Sequence, residues 1–199
     1  MIGFVKGLIK VVLCHIGYRV EYINSEVVQN LDKCVLCPNH SNAVEPAWIY
    51  AHTDHICIMA KAELFRYQWV ANILHYFGVF PIHRGEKDVR SLIHAINLFR
   101  NVPKRKLLVF PEGTRIPKSE SKGKAKVGPF YIACKAEVPL VPVYITKNAP
   151  IFSKVKIIYG EPMYLSKELA KDKEKLHEIA EETLDKIYRM GEQEKHGKK

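Results

Sequence analysis

The sequence lacks an apolar run long enough to cross a bilayer, and it has no G-x-S-x-G motif. A membrane-spanning helix needs about 20 consecutive apolar residues, whereas the uncharged stretch near the start covers residues 11–18. No small-residue cleavage site follows that stretch, which disfavours a signal peptide. Without the nucleophile elbow that G-x-S-x-G forms, the usual serine hydrolase arrangement is excluded.

Cysteines are few and irregularly spaced. The chain has five, an odd number without the dense spacing of a disulfide scaffold, which favours a reducing compartment. Cys34 and Cys37, followed by His40, are chemically suited to zinc, but no second Cys/His pair follows at zinc-finger spacing. Both cysteines also lie in an apolar run typical of a buried strand. We therefore predict no metal site.

Positive charge is in excess, with a formal net charge of +10. Residues 166–199 contain equal numbers of basic and acidic side chains, so the whole excess lies in residues 1–165. Such a field attracts polyanions, which include nucleic acid, an anionic membrane surface and phosphorylated substrates. The basic runs at 104–106 and 118–126 have no interleaved aromatic residues and no known nucleic-acid motif. Nucleic acid is therefore not an expected partner.

The first 18 residues have the pattern of an amphipathic helix. Lys6 and Lys10 lie on one side of the helical wheel, and most apolar residues spread over the other. We predict that residues 1–18 form a helix lying in the membrane interface, with its lysines toward the headgroups. The alternative is a helix packed on the protein's own core.

Short β-rich runs alternate with helical patterns in the rest of the chain. The spacing predicts strands at 33–37, 56–60, 78–82, 106–110, 140–145 and 155–159. The clearest helices are predicted at 87–100 and 166–190, and residues 191–199 are predicted to be a frayed tail. This order indicates one α/β domain over residues 19–199, a sandwich around a largely parallel sheet. In such sheets the loops at the carboxyl ends of the strands form the site.

His40 and Glu45 stand five positions apart, with Pro46 directly after them. Residues five apart on a straight helix do not face each other. Pro46, however, disfavours a helical Glu45 and is itself well placed at the first position of a helix. We therefore predict that His40 lies in a loop, where Glu45 can hold its Nδ1 proton and leave Nε2 free as a base. The alternative is that Glu45 caps the helix and His40 has no catalytic role.

Polar clusters follow each of the first four predicted strands. Together they supply Lys61, Arg84 and Arg115, which can bind phosphate oxygens. Gly113 allows close backbone approach, and the N–H groups of Gly113 and Thr114 can also donate. The clusters therefore predict a site for a phosphorylated substrate, with Glu112 orienting Arg115 or binding a substrate hydroxyl.

Several segments resemble, in order, the motifs of the glycerolipid acyltransferases, whose central members are the 1-acylglycerol-3-phosphate acyltransferases. Residues 39–45 are similar to the family's N-H-x4-D motif, and residues 110–115 read F-P-E-G-T-R, which is the family motif unaltered. Further similar segments are K-A-E-L-F at 61–65, F-P-I-H-R-G at 80–85 and V-P-L-V-P-V at 138–143. The resemblance covers about residues 33–160 and implies a glycerol-3-phosphate-acyltransferase-like fold.

The resemblance also implies a reaction. A fatty acyl group passes from acyl-CoA or acyl-acyl carrier protein to the sn-2 hydroxyl of lysophosphatidate, giving phosphatidic acid, and no bound cofactor is needed. His40 would be the base, Glu45 its partner, and Asn39 a possible oxyanion donor. The implied substrate-binding residues are Lys61, Arg84, Glu112, Gly113, Thr114 and Arg115. The implied location is the cytoplasmic face of the cell membrane, as a peripheral or monotopic protein on an anionic surface.

Glu45 departs from the aspartate that is usual in the family motif. The extra methylene keeps the charge and alters the reach of the carboxylate, so we expect activity to survive. The alternatives are an acyltransferase for another lysolipid or lyso-aminolipid, and a lipid-binding protein without catalysis.

The stretch Phe65–Phe80 is rich in aromatic residues. It is expected either in the core, or lining an acyl-chain slot, or at headgroup level.

Overall fold

A single mixed sheet forms the centre of the molecule. The computed structural model describes residues 2–83 and 88–196. The strands in these ranges are β1 Arg19–Ile23, β2 Lys33–Pro38, β3 Ile56–Lys61, β4 Val79–Ile82, β5 Arg105–Leu108, β6 Leu140–Ile145 and β7 Lys154–Tyr159. Their order across the sheet is β1-β7-β6-β2-β5-β3-β4.

The five strands from β6 to β4 run parallel to one another. Strand β7 is antiparallel to β6, and β1 pairs parallel with β7. The predicted α/β class and largely parallel sheet are therefore confirmed. Strand β1 was not predicted. The sequence also did not predict that β7 and β1 run opposite to the other five strands.

Helices cover both faces of the sheet, which confirms the predicted sandwich. The α-helices are α1 Ile2–Ile9, α2 Glu26–Gln29, α3 Glu45–His52, α4 Gln68–Tyr76, α5 Val89–Asn97, α6 Gly128–Ala136 and α7 Lys173–His196. Helices α5, α6 and α7 pack on one face around Phe130 and Leu184. The other face packs against α2 and α3 around Leu36 and Trp48.

The N-terminal segment consists of α1 and a π-helix, Lys10–Gly17. It packs on the core through the buried Cys14, and Lys6 Nζ donates to the Thr53 carbonyl at 2.7 Å and to Asp54 Oδ1 at 3.0 Å. The prediction that the lysines face the headgroups is thus wrong for Lys6, because its ammonium finds acceptors on the protein. The exposed apolar residues of this segment are Leu8, Val11, Val12 and Ile16, which we call the apolar N-terminal face.

The C-terminal helix differs from its predicted bounds. A 3-10 turn, Lys167–Lys171, precedes α7. The Asp172 carboxylate accepts the Lys175 amide at 3.0 Å, a side-chain cap that starts the new helix. Helix α7 continues to His196, so the prediction of a frayed tail is wrong for residues 191–196. Residues 197–199 lie outside the described part of the chain.

The aromatic stretch around α4 divides between the core and the surface. Phe80 is buried, whereas Tyr67, Trp69 and Tyr76 are exposed. Leu64 and Ile73 are exposed with them, and we call these five residues the aromatic ridge. The ridge adjoins the N-terminal segment, since Lys6 and Tyr76 line one cavity.

Metal ligands and membrane spans are both missing from the described ranges. No group of three His, Cys, Asp or Glu side chains converges there as a metal site. Cys34 and Cys37 are buried on opposite faces of β2, and burial raises the pKa of Cys34 to about 12. Across residues 2–83 and 88–196, every helix is too short or too polar to traverse a bilayer.

Gly191 provides a test of the packing of α7. An ideal Cβ at this position would lie 2.1 Å from Tyr144 Cζ, so a side chain must displace the buried ring. We expect Gly191→Ala to lower the free energy of unfolding by about 1–3 kcal/mol, measured by urea denaturation. Gly128→Ala is the control, because a Cβ there meets no atom within 4 Å. Two results would contradict this packing. The two variants could have equal free energies of unfolding, or adding Tyr144→Leu to Gly191→Ala could fail to restore stability.

Candidate active site

The loop that carries His40 lies at the carboxyl end of β2, where the prediction placed it. Glu45 is the first residue of α3, and Pro46 follows in the first turn. The carboxylate folds back toward the loop, and its Oε2 lies 2.7 Å from His40 Nδ1. With Nδ1 bonded to the carboxylate, Nε2 is the nitrogen that can accept a proton.

Glu45 is fully buried (0% exposed) and its charge is compensated by donors from the same loop. Oε1 accepts the Ser41 hydroxyl and the Asn42 amide, both at 2.8 Å, and the Ser41 amide donates to Oε2 at 3.0 Å. These bonds offset the desolvation of the carboxylate. The alternative interpretation as a helix cap fails, because the N-cap of α3 is Val44 and no side chain caps it.

A second carboxylate, that of Glu112, fixes the backbone of His40. Glu112 Oε2 accepts the His40 amide at 2.8 Å, and the His40 carbonyl accepts the Ile116 amide at 2.8 Å. The imidazole also stacks on the Phe110 ring, with centroids 3.8 Å apart. The side chain and the backbone of His40 are therefore held by different partners.

The other oxygen of Glu112 reaches α7. Oε1 accepts the Gly123 amide at 2.9 Å and the Tyr188 hydroxyl at 2.8 Å. Burial raises the pKa of Tyr188, and the Glu112 carboxylate raises it further, so the hydroxyl stays protonated and donates. The predicted roles for Glu112, orienting Arg115 or binding a substrate hydroxyl, do not match these contacts. Its carboxylate is buried and joins the His40 loop to Gly123 and to Tyr188 of α7.

Gly113 adopts the left-handed conformation that glycine favours, with φ of 68°. Its N–H donates to the Phe110 carbonyl at 3.1 Å, which closes the turn. The predicted donation from this N–H to phosphate is therefore wrong. The glycine serves to turn the chain so that Thr114 and Arg115 follow at the surface.

Asn39 also has a structural role. Its Nδ2 donates to the Ile145 carbonyl at 2.9 Å, and its Oδ1 accepts the Ile145 amide at 2.7 Å. The side chain is fully buried and joins the end of β2 to the end of β6. Asn39 is thus not placed to donate to a substrate oxyanion.

Four of the predicted site residues line one cavity of about 330 Å³, which we call the His40 cavity. They are His40, Lys61, Thr114 and Arg115. Lys61 Nζ lies 3.1 Å from Glu63 Oε1 in an exposed pair, which is a weak interaction that a stronger anion can replace. Arg84 lies outside the described residues. The ends of β2, β3 and β5 thus converge through these four residues, whereas Asn39, Glu45, Glu112 and Gly113 do not line this cavity.

A second cavity of about 300 Å³ adjoins the first and is mostly apolar. The two cavities share Met59, Phe110 and Thr114. The apolar cavity extends between the sheet and helices α5 and α6. Its further apolar lining residues are Ile82, Leu92, Val109, Pro129 and Ile132.

Two supporting residues were not predicted from the sequence. The Ser41 hydroxyl donates to Glu45 and accepts the Asn148 amide at 3.0 Å, so it links the loop to the segment after β6. Tyr188 lies far along the chain on α7. Ser41 lies inside the 39–45 motif and Tyr188 lies outside every motif, and only their contacts with the two carboxylates show their supporting roles.

The comparisons with known proteins agree with this geometry. The family model described as "Acyltransferase" matches residues 19–146. Human 1-acyl-sn-glycerol-3-phosphate acyltransferase beta is 29% identical over 142 residues, 70% of this chain and 51% of that protein. The Helicobacter pylori (strain J99) 1-acyl-sn-glycerol-3-phosphate acyltransferase is 28% identical over 146 residues, 70% of this chain and 60% of that protein. The chain spans about half the length of the curated relatives it matches.

The fold has a counterpart among solved structures. The crystal structure of the 1-acyl-sn-glycerophosphate (LPA) acyltransferase PlsC from Thermotoga maritima matches with a TM-score of 0.71 and 23% sequence identity. The match covers 96% of this chain and 79% of that chain. It confirms the predicted acyltransferase-like α/β fold.

The bond between Tyr188 and Glu112 can be tested through stability. We expect Tyr188→Phe to lower the free energy of unfolding by about 1.5–3 kcal/mol, because it removes a hydrogen bond to a buried carboxylate. Chemical denaturation measures the change, and Tyr164→Phe, at an exposed tyrosine, is the matched control. If both variants unfold at the same denaturant concentration as the parent, Glu112 does not depend on Tyr188.

Proposed function

Because the chain belongs to the Acyltransferase family, we propose that it transfers a fatty acyl group from an acyl thioester to the sn-2 hydroxyl of 1-acylglycerol-3-phosphate. The product is phosphatidic acid, a precursor of phospholipids. The donor is acyl-CoA or acyl-acyl carrier protein. The observation that carries the proposal is the pairing of His40 with the buried Glu45 carboxylate, with Nδ1 and Oε2 2.7 Å apart, at a cavity that Lys61 and Arg115 also line.

In the proposed mechanism the substrate supplies the nucleophile. His40 Nε2 takes the proton of the acceptor hydroxyl as its oxygen attacks the thioester carbonyl. The tetrahedral intermediate then collapses, the carbon–sulfur bond breaks, and the leaving thiolate takes the proton back from His40. Glu45 holds Nδ1–H and stabilises the imidazolium between the two steps. The Ser41 hydroxyl donates to Glu45, so it is not the hydroxyl that His40 activates.

The two adjoining cavities suit two different parts of the substrates, the acceptor phosphate and an acyl chain. Lys61 and Arg115 supply cations for the acceptor phosphate in the His40 cavity, and Arg84 is proposed to join them. The apolar cavity beyond Met59 and Phe110 offers space for an acyl chain. The reacting carbonyl would then lie where the cavities meet, beside the imidazole that stacks on Phe110.

His40 and Glu45 give the direct test of this reaction. We expect His40→Ala to lower turnover by roughly 10²–10⁴-fold, which is the contribution of a general base. The variant should remain folded, as measured by circular dichroism. Glu45→Asp should keep part of the activity, because it keeps the charge on Nδ1. The assay uses lysophosphatidate with a panel of acyl-CoA and acyl-acyl carrier protein donors, and Tyr164→Phe is the control. Full activity of His40→Ala would refute the mechanism.

Binding without turnover would indicate a different function. If the parent protein binds lysophosphatidate and transfers no acyl group from any donor, it is a lipid-binding protein. Transfer to another lysolipid or lyso-aminolipid, but not to lysophosphatidate, would change the acceptor and leave the role of His40 intact.

We further propose that the protein lies on the cytoplasmic face of the cell membrane as a peripheral protein. The apolar N-terminal face and the aromatic ridge are exposed, and they lie on adjoining elements. Exposed Tyr and Trp side chains suit the boundary between headgroups and acyl chains. The basic excess of residues 1–165 adds attraction to anionic lipid.

Charge placed on the apolar N-terminal face should prevent this docking. Both Val11 and Ile16 are more than half exposed, so Val11→Asp with Ile16→Asp leaves the core unchanged. We expect the double variant to lose at least about tenfold in binding to anionic liposomes in a sedimentation assay. The control is Val89→Asp, at an exposed residue of α5 on the opposite face of the sheet. Unchanged liposome binding of the double variant would refute this docking surface.

A further inference from the structure

A further cavity, of about 230 Å³, lies at the opposite end of the sheet from His40. It is lined by residues that precede or begin the parallel strands β2, β3 and β5, and by the last residue of the reversed strand β7. His40, in contrast, follows the carboxyl end of β2. The proposed acyl transfer makes no use of this cavity.

Tyr159 lines the cavity and carries a buried hydroxyl. The residue is 1% exposed, and its hydroxyl has no hydrogen-bond partner among the described residues. Burial raises the pKa of Tyr159, an effect that the neighbouring Thr53 side chain partly offsets. The hydroxyl is therefore a neutral donor. A buried donor without an acceptor is unfavourable, and an acceptor in the cavity would satisfy it.

Lys106 supplies a positive charge to the lining of the same cavity. It lies on β5 between Cys34 of β2 and Ile56 of β3 and is 6% exposed. Within residues 2–83 and 88–196, no hydrogen bond or ion pair engages its ammonium group. The ammonium is therefore available to an anion that enters the cavity. The lining thus contains two donors, the buried Tyr159 hydroxyl without a partner and the Lys106 ammonium.

The acidic residues around the cavity already have partners. Asp54 Oδ1 accepts from Lys6 at 3.0 Å, and Asp32 lies 3.4 Å from Lys104. The pKa of Asp54 is lowered mainly by Lys6, with a smaller contribution from Lys106. Burial lowers the pKa of His52, another lining residue, which favours its neutral form. Among the described residues, the ion pairs of the lining thus hold Asp54 and Asp32 with Lys6 and Lys104, and Lys106 belongs to neither pair.

We propose that this cavity binds a phosphate group, either free or as the monoester of a small molecule, between the Lys106 ammonium and the Tyr159 hydroxyl. A phosphate has several acceptor oxygens and can take both donors at once. The volume, below the roughly 300–1,000 Å³ of most organic-ligand pockets, suits a small anion. The site is separate from the proposed acceptor site, because the two lie at opposite ends of the strands.

Titration of the full chain with inorganic phosphate and with glycerol 3-phosphate, at constant ionic strength, tests the proposal. Calorimetry gives the Kd, and the ring resonance of ¹³C-labelled Tyr159, assigned through Tyr159→Phe, reports the location. We expect saturable binding that shifts this resonance. Lys106→Met should raise the Kd about tenfold or more, and Tyr159→Phe about threefold to tenfold. Lys106→Arg should stay within about threefold of the parent, because it keeps the charge.

Two controls separate this cavity from other anion sites. Lys173→Met removes an exposed lysine on α7 and should leave the Kd unchanged. The double variant His40→Ala with Arg115→Ala disables the proposed acceptor site and should keep the Tyr159 shift. A Kd that is equal in the parent and Lys106→Met, or a Tyr159 resonance that phosphate does not move, would overturn the proposal. The proposal would also be overturned if lysophosphatidate moved the Tyr159 resonance and inorganic phosphate and glycerol 3-phosphate did not. The ligand would then be a lipid.

Discussion

The buried Glu112 carboxylate joins three segments that are far apart in the sequence, and the candidate site depends on this junction. One oxygen accepts the amide of His40, while the other accepts the Gly123 amide and the Tyr188 hydroxyl. The loop after β2, the segment between β5 and α6, and helix α7 therefore share one anion. Hydrogen bonds to a buried charge are stronger than neutral ones, and removing any donor leaves the charge less well compensated. The position of His40 is thus a property of the whole domain.

Two glutamates divide the positioning of His40. Glu45 binds Nδ1 and sets the orientation of the ring, while Glu112 binds the main chain and sets the position of the loop. Phe110 packs against the ring and restricts its remaining motion. A base that is held in place before the substrate arrives needs little reorganisation during the reaction. Glu45, which stands where the family usually has aspartate, reaches Nδ1 at 2.7 Å, so the longer side chain is accommodated by the fold of the loop.

Local patterns predicted much of this structure, and contacts between distant residues account for most of what they missed. The strands β2 to β7 follow from apolar runs between polar clusters, and the His40–Glu45 contact follows from Pro46 and a short loop. Strand β1 was missed because it lies at the edge of the sheet, is only partly buried and carries Glu21, so it has no apolar run. Asn39 was misassigned because its partner, Ile145, is remote in the sequence. Similarly, the helical wheel separated Lys6 from most of the apolar residues of α1. It could not show that Lys6 binds acceptors on the protein and not lipid headgroups.

The turn at Thr53 and Asp54 belongs to two surfaces at once. Lys6 anchors the N-terminal segment on this turn, and the same two residues line the cavity that contains Lys106 and Tyr159. A bound anion that shifts the turn therefore changes how firmly the apolar N-terminal face is held. If both proposed ligands act on this turn, thermodynamic linkage makes the effect reciprocal, so adsorption to lipid would alter the affinity for the anion by the same factor. One hydrogen-bonded turn would thus couple the two proposed sites, the one for a small anion and the one for a membrane surface.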